Sequence, residues 1–146
     1  MNKFKYFITI TFLIICAAGA NATNLETKNQ SSKTLNITIK GRDIFGNNTL
    51  DRSFTVQAGD TSGSDLVDIG YTNAADIWLK LGNGTLLKSA KITRDKNGFY
   101  TITDQQTGQN VCSSDLNAAP GKLVFYISDV SSNNDAVSIA CFYSAA

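Results

Sequence analysis

Leu35-Asn36-Ile37-Thr38-Ile39-Lys40 alternates apolar and polar side chains without a break. In an extended chain successive side chains point to opposite faces, so this stretch offers one apolar and one polar surface. The same two-residue rhythm returns along the chain. Phe54, Val56 and Ala58 alternate with Ser53, Thr55 and Gln57, and Val67, Ile69 and Tyr71 with Asp68 and Gly70. Ile77, Leu79 and Leu81 alternate with Asp76, Trp78 and Lys80. Leu86, Lys88, Ala90 and Ile92 share a face opposite Leu87, Ser89, Lys91 and Thr93. Phe99 to Thr103, Leu123 to Ser128 and Ala136 to Tyr143 complete the set. Turn-forming residues separate the runs, as in Gly46-Asn47-Asn48, Gly82-Asn83-Gly84, Asp95-Lys96-Asn97-Gly98 and Pro120-Gly121. The pattern predicts an all-β chain of about eight strands, an antiparallel two-sheet sandwich of immunoglobulin- or fibronectin-like architecture.

The start of the chain has another character. Lys3 and Lys5 precede an uncharged apolar run from Tyr6 to Ala18, and Ala20-Asn21-Ala22 sets small residues where a signal peptidase reads. Residues 1–22 are therefore expected to be a secretory signal cleaved after Ala22. Thr23 to Lys33 is polar and aperiodic and is expected to be a flexible lead-in, leaving 34–146 as the sandwich domain. The expected location is secreted or periplasmic, and the short, Lys-led leader has a bacterial look.

Cleavage changes the chemistry. Of 13 Lys+Arg, Lys3 and Lys5 leave with the leader, so 11 remain against 12 Asp+Glu. Of 3 Cys, Cys16 leaves, and the pair Cys112 and Cys141 is expected to form a disulfide in an oxidising compartment. The bond would tie the last strand to the region after Thr103.

Composition removes whole classes of function. With no His there is no Ser-His-Asp or Cys-His nucleophile system and no His-ligated metal. The near-balanced charge argues against a nucleic-acid partner. Gly82-Asn83-Gly84-Thr85 lies between two strands with no helix behind it, so it is no phosphate cradle. Glu26 lies in the polar lead-in, and no carboxylate pair is singled out among the Asp residues. No enzyme activity, catalytic residue or cofactor is expected. The oxygen-rich stretches Gly59 to Asp65 and Asp129 to Asp135 could in principle hold calcium, but neither has a recognised ligand spacing. The segments 39–46 and 92–98 both run a strand into Arg-Asp-x-x-Gly, which backbone turn chemistry explains without a binding role.

What remains is a set of aromatics on the polar side of the alternation. If Ile77 and Leu79 face a core, Trp78 faces out; the same logic turns Val124, Tyr126 and Phe142 outward. Trp78, Tyr126 and Phe142 are the candidate partner-binding residues, on an outer sheet face or beside the Asn/Asp/Gly-rich loops. In size, leader and single disulfide the chain resembles the pilin subunits assembled by chaperone and usher. It departs from them in its polar N-terminal segment and in a Cys pair near the end of the chain, so no family is assigned. The expected function is a non-enzymatic binding module for a protein or glycan partner outside the cytoplasm, with no membrane span in the mature chain. The alternatives are a self-assembling surface or adhesion subunit, and a small extracytoplasmic hydrolase or hydrolase inhibitor.

Overall fold

The computed structural model describes residues 24–61, 66–112, 122–131 and 133–144. The leader, the Pro120-Gly121 turn and Ser62 to Asp65 lie outside them. Nine strands form: β1 (Asn24–Asn29), β2 (Leu35–Arg42), β3 (Asn48–Val56), β4 (Leu66–Asp68), β5 (Ala74–Leu81), β6 (Leu86–Arg94), β7 (Tyr100–Asp104), β8 (Lys122–Val130) and β9 (Asn133–Ser144). There is no helix among the described residues. The strands make two sheets, one of four in the order β4-β1-β8-β9 and one of five in the order β3-β2-β5-β6-β7. Every pairing is antiparallel except β1 with β8.

The alternation read from the sequence sets the core. Leu35, Ile37 and Ile39 of β2 and Ile77 and Leu79 of β5 are fully buried, in one cluster with Leu123, Phe125 and Ile127 of β8. Both sheets thus contribute to a single apolar interior. Burying a side chain of this size stabilises by roughly 1.5–3 kcal/mol.

Four expectations are corrected. The lead-in is no loose segment: Asn24–Asn29 is β1, held between β4 and β8. Only Leu25 on it is apolar, so hydrophobic rhythm could not reveal it. Thr27 and Asn29 share the inward face with Leu25 and are buried. The third strand starts at Asn48, well before Ser53, because this stretch is an edge paired on one side only and needs little apolar content. Arg52 points to the core side of that edge, opposite Ile39, a charge that discourages pairing with another chain. In β6 a register shift opposite Leu79 and Lys80 leaves Leu86 exposed and packs Leu87 against the core. The strand through Val67 stops at Asp68, so Ile69 is buried while Tyr71, in the following turn, is 74% exposed.

The disulfide between Cys112 and Cys141 forms. It belongs to a backbone bridge at one margin of the molecule. The Val111 amide donates to the Ile102 carbonyl of β7, and the Cys141 amide of β9 donates to the Val111 carbonyl. Asn110 to Cys112 therefore links the last strand of one sheet to the last strand of the other.

The opposite margin is joined by backbone bonds, from Asn29 N–H to the Asp60 carbonyl and from Gly59 N–H to the Ser31 carbonyl, and by a side chain. Asn29 Nδ2 donates to the carbonyls of Lys33 (2.7 Å) and Gln57 (3.0 Å), and its Oδ1 accepts from the Ser31 amide and hydroxyl. Asn29 begins an Asn-x-Ser sequon, but its side chain is buried and committed, which leaves a glycosyltransferase nothing to reach in the folded chain.

The Arg-Asp-x-x-Gly echo is a shared turn. Asp43 Oδ1 accepts from the amides of Phe45 and Asn47, and Asp95 Oδ1 from those of Asn97 and Phe99. Gly46 and Gly98 take φ of 84° and 88°, the left-handed conformation in which glycine is free of steric cost.

Candidate functional site

Trp78 sits mid-way along β5, between the buried Ile77 and Leu79, so its indole lies on the outer face of the five-stranded sheet. Register fixes its neighbours. Across the strands it faces Thr38 of β2 on one side and Ser89 of β6 on the other. Asp76 and Lys80 flank it along its own strand. One row further, Asp76 lies between Lys40 and Lys91. Trp78 is half-buried and no other aromatic shares the face with it in β2, β3 or β5.

Two shallow depressions meet at this indole. One, of about 460 Å³, is lined by Thr38, Lys40, Asp51, Ser53, Trp78 and Lys80. The other, of about 360 Å³, runs from Trp78 and Lys40 past Asp76 and Lys91 to Arg42 and Asn48. Lys40 Nζ lies 3.6 Å from Asp51, both well exposed, which is a loose pair of little energetic weight. Asp76 accepts a hydrogen bond from Gln105 Nε2 at 2.9 Å. Thr38 and Ser53 share a hydroxyl–hydroxyl bond of 3.0 Å. The arrangement offers one flat aromatic surface, short hydroxyls beside it and separate charges around it.

Tyr126 and Phe142 lie elsewhere. They are on β8 and β9, on the outer face of the four-stranded sheet, with rings 5.4 Å apart and edge-on at 79°. Lys28 Nζ stands 5.9 Å from the Tyr126 ring. The structure brings these two aromatics together and sets Trp78 on the other sheet. Val124, expected to face out beside them, does lie on that side, yet it is only 5% exposed between Glu26 and Phe142 in its cross-strand row. Glu26 Oε2 is ion-paired with Lys122 Nζ.

The described carboxylates are largely committed to structure. Asp104, on the inward side of β7, meets Lys88 Nζ at 2.6 Å, with both side chains nearly buried. Burial pushes the Asp104 carboxyl up, but the Lys88 ammonium and the Gln106 amide outweigh it and hold it below the usual range. Asp129 pairs with Lys33 at 2.9 Å and accepts from the Ser32 amide, and both hold its carboxyl low. Asp43 is held low by the Asn47 side chain in its turn. No group of three Asp, Glu or Cys gathers as a metal site among the described residues. No helix among them is long and apolar enough to cross a membrane.

The cations and hydroxyls about Trp78 were the part that sequence reading missed. Thr38, Lys40, Lys80 and Lys91 all stand at outward positions of the alternation, so each was legible singly. Their convergence depends on the order β2-β5-β6, which is a long-range pairing. No protein-family model, curated protein or solved structure matches this chain.

Proposed function

We propose that the chain is a non-enzymatic binding module that acts outside the cytoplasm and takes its partner on the outer face of the five-stranded sheet, around Trp78. The observation that carries this reading is a half-buried indole at the meeting point of two depressions on an otherwise polar sheet face. An indole left there contributes little to the core; against a partner it offers a large, rigid contact surface at low entropic cost. The finer architecture is an immunoglobulin-like sandwich, supported by the single apolar interior to which both sheets contribute. Secretion is supported by the disulfide, which an oxidising compartment favours. Mass spectrometry of the exported chain should then give an N-terminus at Thr23.

Binding is tested by probing immobilised protein with glycan and protein arrays. Trp78→Ala should lose capture while keeping the wild-type unfolding midpoint, and Tyr126→Ala should retain it. Capture indifferent to Trp78→Ala would remove the reading.

A second reading, a self-assembling surface subunit, draws on the other sheet. There Tyr126, the 45%-exposed Phe142 and the 52%-exposed Leu66 lie on one outer face. Size-exclusion chromatography separates the two: assembly lost on Phe142→Ser would favour the subunit, and a monomer in both proteins would discard it.

A further inference from the structure

Resting on the reading of the Trp78 face as the binding site, we infer that its ligand is an acidic oligosaccharide, a run of pyranose rings bearing carboxylate or sulfate groups. Three observations on that face lead there.

The first is the isolation of the indole. The core of a protein–protein interface gathers several apolar side chains. Here the cross-strand neighbours of Trp78 are Thr38 and Ser89, and the neighbours along the strand are Asp76 and Lys80. The ligand's apolar surface is therefore no larger than one ring, with polar groups on its rim. A pyranose has that form. Its C–H face carries slight positive charge and stacks on the electron-rich indole, while its hydroxyls reach Thr38, Ser53 and Ser89.

The second is charge. The two depressions hold four cations, Lys40, Arg42, Lys80 and Lys91, against two carboxylates, Asp51 and Asp76. That local excess of two positive charges stands on a chain that, without residues 1–22, carries 11 basic against 12 acidic side chains. Lys40 is loosely paired with Asp51, whereas Arg42, Lys80 and Lys91 have no ion pair among the described residues. An anionic ligand can meet these cations without breaking any internal bridge.

The third is shape. The depressions run on both sides of Trp78 along β5, from Lys80 at one end to Arg42 at the other, a track suited to a chain of rings. Same-face positions on a strand are spaced by about 6.8 Å, so the cations fall at intervals along the track. Single-stranded nucleic acid also combines stacking with charge, but its binders stack successive bases on several aromatics, and this face has one.

Trp78 is the only tryptophan, so indole fluorescence reports this site alone. The purified protein is titrated with oligogalacturonate, heparin oligosaccharide, neutral cello-oligosaccharide and single-stranded DNA, with calorimetry for the variant lacking the indole. An acidic oligosaccharide should give a saturable change that weakens with added salt. Lys80→Gln with Lys91→Gln should weaken it about tenfold at an unchanged unfolding midpoint, and Trp78→Ala should abolish it. Response to oligogalacturonate or to heparin alone assigns the anion as carboxylate or sulfate. If the neutral sugar binds as tightly and the lysine variants change nothing, the acidic class is overturned and the site stands. If acidic sugar binds unchanged to Trp78→Ala, both fall. Tighter binding of DNA, or no response to any saccharide, also overturns the inference, and the Trp78→Ala capture experiment then judges the site separately.

Discussion

Asn29 is a polar residue placed where a buried side chain must satisfy every one of its hydrogen-bonding groups. Its amide nitrogen serves two carbonyls on the path into β2 and out of β3, and its oxygen holds Ser31. Asn29→Ala leaves those buried partners unmatched. Each such loss costs about 1–3 kcal/mol, so the variant is expected to lose about 2–4 kcal/mol of unfolding free energy in urea titration. Ser31→Ala, which removes one donor, should cost less. Tyr143 carries the opposite problem. Its hydroxyl is shut off from water and makes no normal hydrogen bond among the described residues. Burial pushes it up to about 12, with the Tyr100 backbone working the other way. An unfolded chain ionises its tyrosines near 10 while the folded chain retains this proton, so stability is full below pH 10 and falls as pH rises toward 12. Tyr100, also raised chiefly by burial, adds to the same trend. The urea midpoint should decline over that window, and less steeply in Tyr143→Phe.

Strands differ in how openly the sequence announces them, and the reason is what each one buries. β2 and β5 lie inside a sheet with one face on the core, and strict alternation marks them. β1 has a single apolar residue and owes its place to backbone pairing on both edges and to Asn29, neither of which leaves a hydrophobic signature. The shift in β6 swaps Leu86 for Leu87 because one extra residue inverts the face of everything before it. Trp78 was legible as an outward residue on the same alternation; its separation from Tyr126 and Phe142 was not, since sheet membership is decided by contacts remote in sequence. The Cys pair was legible by count and its tie from the last strand to the region after Thr103 by position, whereas the backbone bridge through Val111 that accompanies it was not. The 29-residue separation of Cys112 and Cys141 gives the bond about 3–4 kcal/mol on the chain-entropy account. Reduction should lower stability by about that amount. It should also speed hydrogen exchange at the Val111 and Cys141 amides, which the bridge protects.

At the scale of the molecule, the two sheets are tied at opposite margins by different means. β7 and β9 are joined through Asn110 to Cys112 with a covalent bond, whereas the β1 and β3 side is held by hydrogen bonds alone, those of the Asn29 side chain and the backbone bonds from Asn29 N–H to the Asp60 carbonyl and from Gly59 N–H to the Ser31 carbonyl. Strands in a sheet stand about 4.8 Å apart, so the four steps from β3 to β7 separate these ties by about 19 Å. They share no hydrogen-bond partner. Independent sites at such distances combine additively to within about 0.5 kcal/mol, provided that unfolding remains a single transition. Asn29→Ala with the disulfide reduced should therefore lose the sum of the two separate losses. A larger loss would mean that each tie holds the sheets in register for the other, so that the interior opens as a hinge once either is cut. A smaller one would mean that release of one margin already frees the other, and that the two sheets unfold as separate units. Urea titrations of the four species, oxidised and reduced, with and without the substitution, decide among these outcomes. Additivity also requires that the denaturant dependence be the same in all four, because a change in that slope would reveal an altered unfolded state instead of a coupled native one.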